Sequence, residues 1–233
     1  MLKNLLEERI LILDGAMGTA IQQYQLEEKD FRGEEFVNHP VNLKGNNDIL
    51  SLTRPDIISR IHQSYIDAGA DIIETNTFNS NAVSQADYQC SADVYRLNYV
   101  GARLAREVAD KAGRPVYVAG SIGPTSKTLS LSPDVNQPAF RAIDFDTLAA
   151  TYAQQISGLI DGGVDILLVE TVFDGLNAKA ALYAIDKIQT EKATRLPVMI
   201  SATINDKSGH TLTGQSLEAL YTALAHYPLF SFG

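Results

Sequence analysis

Residues 67–78, DAGADIIETNTF, and residues 161–173, DGGVDILLVETVF, share the pattern that decides the fold. Each has an acidic residue, a glycine, an aspartate and an apolar run that leads to Glu-Thr. Gly69 and Gly163 suit the position just after a helix, where a positive φ is needed. A helical pattern precedes each glycine, so the unit is a helix, a glycine stop, a buried strand and a polar end.

Strands of this type alternate with helical stretches along the rest of the chain. Further apolar strands are predicted to begin at Ile10, Pro115 and Leu196, and PLFSFG at residues 228–233 suggests the opening of another. The predicted helices cover residues 54–68, 93–113, 144–161, 175–191 and 216–227. Continuous apolar strands that alternate with helices indicate a parallel sheet that is buried on both faces.

The polar ends of the strands favour a barrel over an open doubly wound sheet. A dinucleotide-binding fold should carry Gly-x-Gly-x-x-Gly after its first strand, and DGAMGTA at residues 14–20 lacks that spacing. Polar residues mark the carboxyl end of the first five predicted strands: Asp14, Glu74 to Asn76, Ser121, Glu170 with Thr171, and Thr203, Asn205 and Asp206. The prediction is an α/β fold, a (β/α)8 TIM barrel of which about five and a half units are present.

The length of the chain predicts a barrel that is not closed. A complete barrel takes about 250 residues, whereas this chain has 233 residues and long connections. Open sheet edges should make such a barrel marginally stable alone. The connections at residues 30–50 and 125–142 leave the strand ends that would face an active site, so both are predicted to line it. One domain, residues 1–233, is expected.

The composition excludes several classes of partner. A formal net charge of −9 argues against nucleic-acid backbones and anionic membranes. The single cysteine, Cys90, allows no disulfide within the chain and no multi-cysteine metal site. The N-terminus does not look like a secretory signal, and no stretch approaches about 20 apolar residues. We expect a soluble cytoplasmic protein.

The turn DGAMG at residues 14–18 is the first candidate site. Successive N–H groups in a glycine-rich turn form a concavity that accepts a carboxylate. Asp14 beside them would accept an ammonium group through charge-assisted hydrogen bonds. Together they suit the head of an α-amino acid. The alternative is an ordinary strand-to-helix turn in which Asp14 caps the following helix.

Glu170 is the second candidate, because a carboxylate at the end of an apolar run is costly unless it is paired. It would be a second acceptor for the ammonium, and its alternatives are a structural salt bridge or a helix N-cap. The neighbouring strand ends supply candidate lining residues of the same pocket: Glu74, Asn76, Phe78, Ser121 and Thr203. For Glu74 the alternative is a hydrogen-bonded network inside the barrel.

The histidines and the cysteine do not cluster along the chain. His62 falls within a predicted helix, His39 and His210 in loops, and His226 near a helix end. Surface or capping positions are expected for all four. Cys90 is expected to be a small buried or half-exposed residue away from any strand end. The residues themselves therefore predict a barrel that binds a small zwitterion, but they do not indicate which reaction follows.

Eight motifs occur in order along the chain. They are LDGAMGT (13–19), DFRGE (30–34), LKGNND (43–48), GADIIETNTFNS (69–80), GPTSKT (123–128), SPDVNQPAF (132–140), ETVFDGLNAKAA (170–181) and SGHTLTGQS (208–216). With them the sequence resembles the homocysteine-binding barrel of cobalamin-dependent methionine synthase, in the homocysteine S-methyltransferase superfamily. DFRGE and LKGNND favour this enzyme over its relatives that use betaine or S-methylmethionine.

The resemblance implies that this domain binds L-homocysteine for methyl transfer. In the family a zinc-held thiolate attacks methylcobalamin, and the product is methionine with a methyl group that comes originally from 5-methyltetrahydrofolate. Carried over by motif, Asp14 and Glu170 would bind the ammonium, and the N–H groups of Gly15, Ala16 and Met17 the carboxylate.

The resemblance also implies zinc and cobalamin as cofactors of the parent enzyme, and folate, cobalamin and reactivation modules as partners. The family holds zinc with three cysteines that would lie beyond Gly233, and Cys90 matches none of them. We therefore expect this chain alone to bind no zinc or cobalamin and to be inactive in methyl transfer. Two alternatives stay open: a homocysteine methyltransferase with another small methyl donor, and a truncated barrel that binds homocysteine or another chain without catalysis.

Overall fold

A parallel sheet with the strand order β1-β2-β3-β4-β5 organises the computed structural model, which describes residues 2–205 and 207–233. The strands are β1 (Ile72–Glu74), β2 (Tyr117–Ile122), β3 (Ile166–Val172), β4 (Val198–Ala202) and β5 (Ser231–Phe232). Strands that follow one another in the chain are neighbours and parallel. A doubly wound sheet would reverse its strand order at a switch point, so the predicted incomplete TIM barrel is confirmed.

Helices connect the strands. In chain order they are α1 (Leu2–Glu8), α2 (Met17–Gln22), α3 (Glu28–Arg32), α4 (Leu50–Thr53), α5 (Pro55–Asp67), α6 (Ala82–Gln85), α7 (Val94–Ala109), α8 (Phe145–Gly162), α9 (Gly175–Glu191) and α10 (Leu217–Leu224). The predicted helical stretches correspond to α5 and to α7 through α10. Short 3-10 turns cover Asn47–Ile49, Ala86–Tyr88 and Ser91–Asp93. Within the described ranges, no helix has the length and the apolar composition that crossing a bilayer requires.

The ends of these helices follow from their residues. Pro55 begins α5, where its missing N–H costs no hydrogen bond. The carboxylate of Asp144 accepts the N–H of Thr147 at 2.8 Å and caps α8. Gly69 and Gly163 have φ values of 104° and 93°, which confirms the left-handed stops predicted from the repeat.

The segment at residues 10–13 departs from the predicted buried strand. Leu13 makes one parallel bridge with β1, but Ile10 is 81% exposed. Arg9 anchors the segment through two hydrogen bonds to the carboxylate of Asp71, at 2.6 and 2.8 Å. The predicted pairing is therefore right and the predicted burial is wrong, because among the described residues the segment pairs with a strand on one side only.

Alternate strand residues face the helices and form the main core. The outer face of the sheet, which packs against the helices, includes Ile73, Val118, Leu167, Val169 and Ile200. Helices α7 and α8 approach closely above it, because a Cβ added at Gly162 would lie 2.5 Å from the Cβ of Ala102. The inner face carries a second, smaller apolar cluster that includes Ile72, Ala119, Ile166 and Leu168.

Candidate functional site

Three polar side chains reach one end of the inner face because residues alternate along each strand. The apolar inner cluster lies at the level of Ile72 in β1, Ala119 in β2 and Leu168 in β3. Two residues further, on the same face, come Glu74, Ser121 and Glu170. The pleat of the sheet therefore places two carboxyl groups and a hydroxyl at the carboxyl ends of neighbouring strands, above an apolar floor.

Backbone pairing brings Asp14 to the same place. The N–H of Asp14 donates to the carbonyl oxygen of Ile72 at 2.9 Å. Its Oδ2 accepts the N–H of Glu74 at 3.0 Å, and its Oδ1 is buried without a hydrogen-bond partner among the described residues. Helix α2 begins only at Met17, and its N-cap residue, Ala16, makes no side-chain bond. The capping interpretation of Asp14 is therefore wrong.

A cavity of about 410 Å³ opens between these groups. We call it the carboxyl cavity, and it is lined by Asp14, Gly15, Ala16, Met17, Gly18, Asn47, Asp48, Glu74, Thr75, Asn76, Phe78, Asn79, Ser121 and Glu170. Every predicted site residue except Thr203 is in this lining. Strand β3 carries one extra residue between Val169 and Val172, where Thr171 has a φ of 56°. Strands β3 and β4 are thus out of step where Thr203 emerges, and its N–H instead donates to the carbonyl oxygen of Val172 at 2.9 Å.

Burial in one cavity raises the pKa of all three facing carboxyl groups. Burial raises the pKa of Asp14 to about 7, and the charge of Glu170 adds to this rise. Burial raises the pKa of Glu74 to about 8, with further contributions from the charges of Glu170 and Asp14. The pKa of Glu170 is also raised by burial, although a hydrogen bond from the hydroxyl of Ser121 opposes the rise. No lysine, arginine or histidine is among the described lining residues.

The turn that follows Asp14 contributes backbone donors to the lining of the cavity. The N–H groups of Gly15, Ala16 and Met17 donate no hydrogen bond to any described residue. Tyr65 of α5 contacts this turn, since its hydroxyl donates to the carbonyl oxygen of Ala16 at 3.3 Å. A Cβ added at Gly15 would lie 3.1 Å from the ring of Tyr65, so any larger residue there would have to displace this ring. Unpaired N–H groups and carboxyl groups in the lining of one cavity can hold the two ends of a zwitterion.

Comparison with known proteins assigns the family. A family model described as Homocysteine S-methyltransferase matches residues 11–233. The chain belongs to the homocysteine S-methyltransferase family. Among solved structures it is similar to the homocysteine methyltransferase MmuM from Escherichia coli, in its metallated form, with a TM-score of 0.74 and 23% identity over 100% of this chain and 76% of that one. The oxidized and apo forms of MmuM give TM-scores of 0.74 and 0.67, also at 23% identity, over 100% of this chain and 75% and 74% of theirs. This likeness shows the fold, and membership of the homocysteine S-methyltransferase family supports methylation of homocysteine.

Glu170 has neither of the structural roles considered for it in this homocysteine S-methyltransferase domain. It accepts a hydrogen bond from the Ser121 hydroxyl and forms no salt bridge with a described residue. The N-cap of the following helix, α9, is Asp174, whose carboxylate accepts the N–H of Leu176 at 2.9 Å. The salt-bridge and N-cap interpretations are therefore wrong, and the carboxyl group of Glu170 stays available to a ligand.

Several members of the lining were not predicted from the sequence. The connection at residues 30–50 was predicted to line the site, and it contributes Asn47 and Asp48. Asp48 is buried, and its Oδ1 accepts the N–H of Asn79 at 2.9 Å, which fixes the rim. The connection at residues 125–142 does not reach the carboxyl cavity, and Thr125 lines an adjoining one, so that prediction is wrong. Tyr65 lies in the predicted helix at residues 54–68, and the sequence gave no sign of its contact with the turn.

The described residues do not fit a zinc ion. None of their His, Cys, Asp and Glu side chains form a group of three or more that could hold a metal. Cys90 is buried outside the carboxyl cavity, with its Sγ 3.3 Å from the carbonyl oxygen of Tyr88 and 3.7 Å from Nε2 of His39. Burial raises the pKa of its thiol to about 11, so the thiol stays protonated at neutral pH. This placement confirms the expected buried position of Cys90.

His62 corrects one expectation. A surface or capping position was predicted, but the ring is fully buried in α5 and both ring nitrogens lack hydrogen-bond partners among the described residues. The reason is visible in the helical spacing, because His62 lies four residues after Ile58 and four before Ile66, and both isoleucines are buried. His62 is therefore part of the core and is remote from the carboxyl cavity lining.

Proposed function

We propose that the carboxyl cavity binds L-homocysteine by its amino-acid head. Asp14 and Glu170 accept the ammonium group, and the N–H groups of Gly15, Ala16 and Met17 donate to the carboxylate. The observation that carries this proposal is a cavity lined by carboxyl groups, with an unpartnered Asp14 oxygen and no cationic lining residue in the described chain. A positive ligand group would supply the missing partner.

The reaction that we propose is transfer of a methyl group to the bound homocysteine. The sulfur forms a bond to the methyl carbon, the donor keeps the electron pair of the broken bond, and the thiol proton is released. The residues of this chain hold and orient the substrate, which brings the sulfur to a fixed place relative to the donor. Because the described residues supply no zinc ligand set, no step of this reaction is assigned to a metal.

The finer identity that we propose is the homocysteine-binding domain of a cobalamin-dependent methionine synthase. The motifs DFRGE and LKGNND support it over relatives that use other donors. A cavity of about 410 Å³ suits an amino acid rather than a corrin ring. Methylcobalamin and 5-methyltetrahydrofolate would then be presented by cobalamin and folate modules, with a reactivation module, in the cytoplasm.

A second candidate is a homocysteine methyltransferase with another small methyl donor. The family description names homocysteine and leaves the donor open. Supplying the protein with homocysteine and either methylcobalamin or S-methylmethionine, and then measuring methionine, separates the two candidates. Turnover with S-methylmethionine alone would favour the second one.

Calorimetric titration tests the binding proposal. Glu170→Gln keeps the shape and the acceptor for Ser121 but removes the charge, so homocysteine should bind roughly 10- to 100-fold more weakly, as expected for a charge-assisted hydrogen bond of about 1.5–3 kcal/mol. Glu191→Gln, at the exposed end of α9, is the matched control and should bind like the wild type.

A second ligand makes the test specific for the ammonium group. The compound 4-mercaptobutanoate keeps the thiol and the carboxylate but has no amine. It should bind wild type and Glu170→Gln equally, because the lost interaction is absent in both. Equal homocysteine affinity in the wild type and Glu170→Gln would contradict the proposed clamp.

A further inference from the structure

The three carboxyl groups of the carboxyl cavity are not equally supported. Asp14 accepts the N–H of Glu74 at 3.0 Å, and Glu170 accepts the hydroxyl of Ser121. The side chain of Glu74 accepts no hydrogen bond from any residue that the structure describes. A donated hydrogen bond stabilises an ionised carboxylate. Of the three groups, Glu74 is therefore the one whose charged form has the least support.

The groups that face Glu74 are acidic or neutral. Burial raises the pKa of Glu74, and the charges of Glu170 from β3 and Asp14 from the turn add to the rise. Neither of these groups offers Glu74 a proton donor when it is ionised. From α5, the phenol of Tyr65 has a raised pKa, caused by burial and by the charges of Asp14 and Glu74. Asp48 is the remaining titratable member of the described lining. Carboxyl groups that line one buried cavity repel one another when ionised, so the one with the least hydrogen-bond support keeps a proton.

We propose that Glu74 carries a proton in the ligand-free protein and that the ammonium group of an amino-acid ligand displaces this proton into solvent. This inference rests on the proposed binding of homocysteine. The ammonium enters between Asp14 and Glu170 and adds a positive charge beside Glu74, whose carboxylate then becomes favourable. The ligand and the protein keep all their other bonds, and one proton leaves for each ligand that binds.

The proposal gives Glu74 a role in specificity. The clamp of Asp14 and Glu170 neutralises one ammonium, and the ionised Glu74 adds a further attraction that a neutral ligand cannot use. Affinity for an α-amino acid should therefore rise with pH until Glu74 is ionised in the free protein. With a pKa of about 8, Glu74 is roughly nine-tenths protonated at pH 7. Most ligand molecules that bind at that pH should release a proton.

Calorimetry with a ligand that has no thiol isolates this proton. L-Norvaline has the size of homocysteine with a methyl group in place of the sulfhydryl, so any proton released must come from the protein. Titrations at pH 7 in phosphate and in Tris, which differ in ionisation enthalpy, give the number of protons released per ligand. With a pKa of about 7, Asp14 contributes about half a proton at pH 7 in every variant. The release by Glu74→Gln should therefore be about 0.8 proton smaller than the release by the wild type and by Glu191→Gln. At pH 9, where Glu74 is about nine-tenths ionised and the ligand is still mostly in its ammonium form, the release by the wild type should fall close to zero.

The outcomes separate this inference from the function on which it rests. Norvaline binding that depends on Glu170 but releases no proton from the wild type at pH 7 overturns the role of Glu74 and leaves the clamp standing. Equal proton release by the wild type and a folded Glu74→Gln variant does the same. Absence of norvaline and homocysteine binding by the wild type overturns both. If the Glu74→Gln variant fails to fold, the proposal can still be overturned, because the absence of proton release by the wild type at pH 7 is enough to contradict it.

Discussion

Replacing Asp14 with asparagine should stabilise the ligand-free protein while it weakens ligand binding. Asparagine keeps an oxygen that accepts the N–H of Glu74, as Asp14 does at 3.0 Å. It removes a buried charge that has no cationic partner among the described residues. Substitution of a residue with a purely structural role should lower the stability of the protein. Substitution of a residue whose charge is neutralised only by a bound ligand should raise the stability of the ligand-free protein.

The size of the effect follows from the pKa of Asp14. Burial raises that pKa from 3.8 to about 7. The contribution of this carboxyl group to stability is fully present below pH 3.8 and is lost as the pH rises to about 7, because the folded state then binds the proton more tightly than the unfolded state. About three pKa units correspond to about 4 kcal/mol, or roughly 3 kcal/mol once partial solvent access is allowed for. For a chain of this size that is a rise in Tm of roughly 6–12 °C.

Thermal unfolding of the wild type and Asp14→Asn at pH 8 and pH 4 is the assay. The variant should be more stable at pH 8, and the difference should shrink to within about 2 °C at pH 4. Homocysteine should raise the Tm of the wild type and have much less effect on the variant. An Asp14→Asn protein that is equally or less stable than the wild type at pH 8 would refute the reasoning.

Asp71 provides the matched control, because it is an aspartate at the other end of β1 with the opposite electrostatics. A hydrogen bond from Arg9 lowers its pKa, and the Arg9 guanidinium lies 2.6 Å from its Oδ2. Asp71→Asn should lower the free energy of unfolding at pH 8 by about 1 kcal/mol, since the side chain of Arg9 is half exposed. Opposite signs for the two substitutions would separate the ligand site from a structural ion pair.

Two further predictions concern the helices. Burial lowers the pKa of His62 from 6.5 to about 4, so stability should be lost as the pH falls from 6.5 towards 4. His62→Leu should remove this loss, about 3 kcal/mol at pH 4, and urea unfolding across that range checks it, with parallel pH profiles counting against it. Gly162→Ala should destabilise by about 1–3 kcal/mol, because its Cβ would lie 2.7 Å from the carbonyl oxygen of Tyr99 and even closer to the Cβ of Ala102. Urea unfolding that is unchanged by the substitution would show that α7 and α8 can separate without cost.

The sequence predicted the sheet because buried parallel strands have a strong local signal. Their continuous apolar runs and the glycines at positions 69 and 163 fixed both the strand positions and the helix ends. The convergence of Glu74 and Glu170 was also predictable, since the carboxyl ends of parallel strands meet at one end of the sheet. For these elements, local pattern and global fold agree.

The remaining parts of the site depend on contacts that leave no local pattern. Asn47 and Asp48 lie in an irregular connection whose path is fixed by hydrogen bonds such as that from Asn76 Nδ2 to the carbonyl oxygen of Asn47, at 2.8 Å. Thr203 was misplaced because the extra residue near Thr171 cannot be seen in an alternating pattern. Which carboxyl group has hydrogen-bond support, and which has none, likewise required coordinates.

The alternation that sends Ile166 and Leu168 to the inner face also sends Glu170 there, while Val169 packs under the helices. If the register of β3 against β2 shifted by one residue, Glu170 would be forced into the apolar core under the helices. Val169 would then face the cavity. The position of an acidic residue within the alternation of its strand therefore decides, as much as its identity does, whether it reaches the cavity. Searches for related sites can test whether an acidic residue at a strand end lies on the same face as the alternate aliphatic residues before it, even where the surrounding motifs differ.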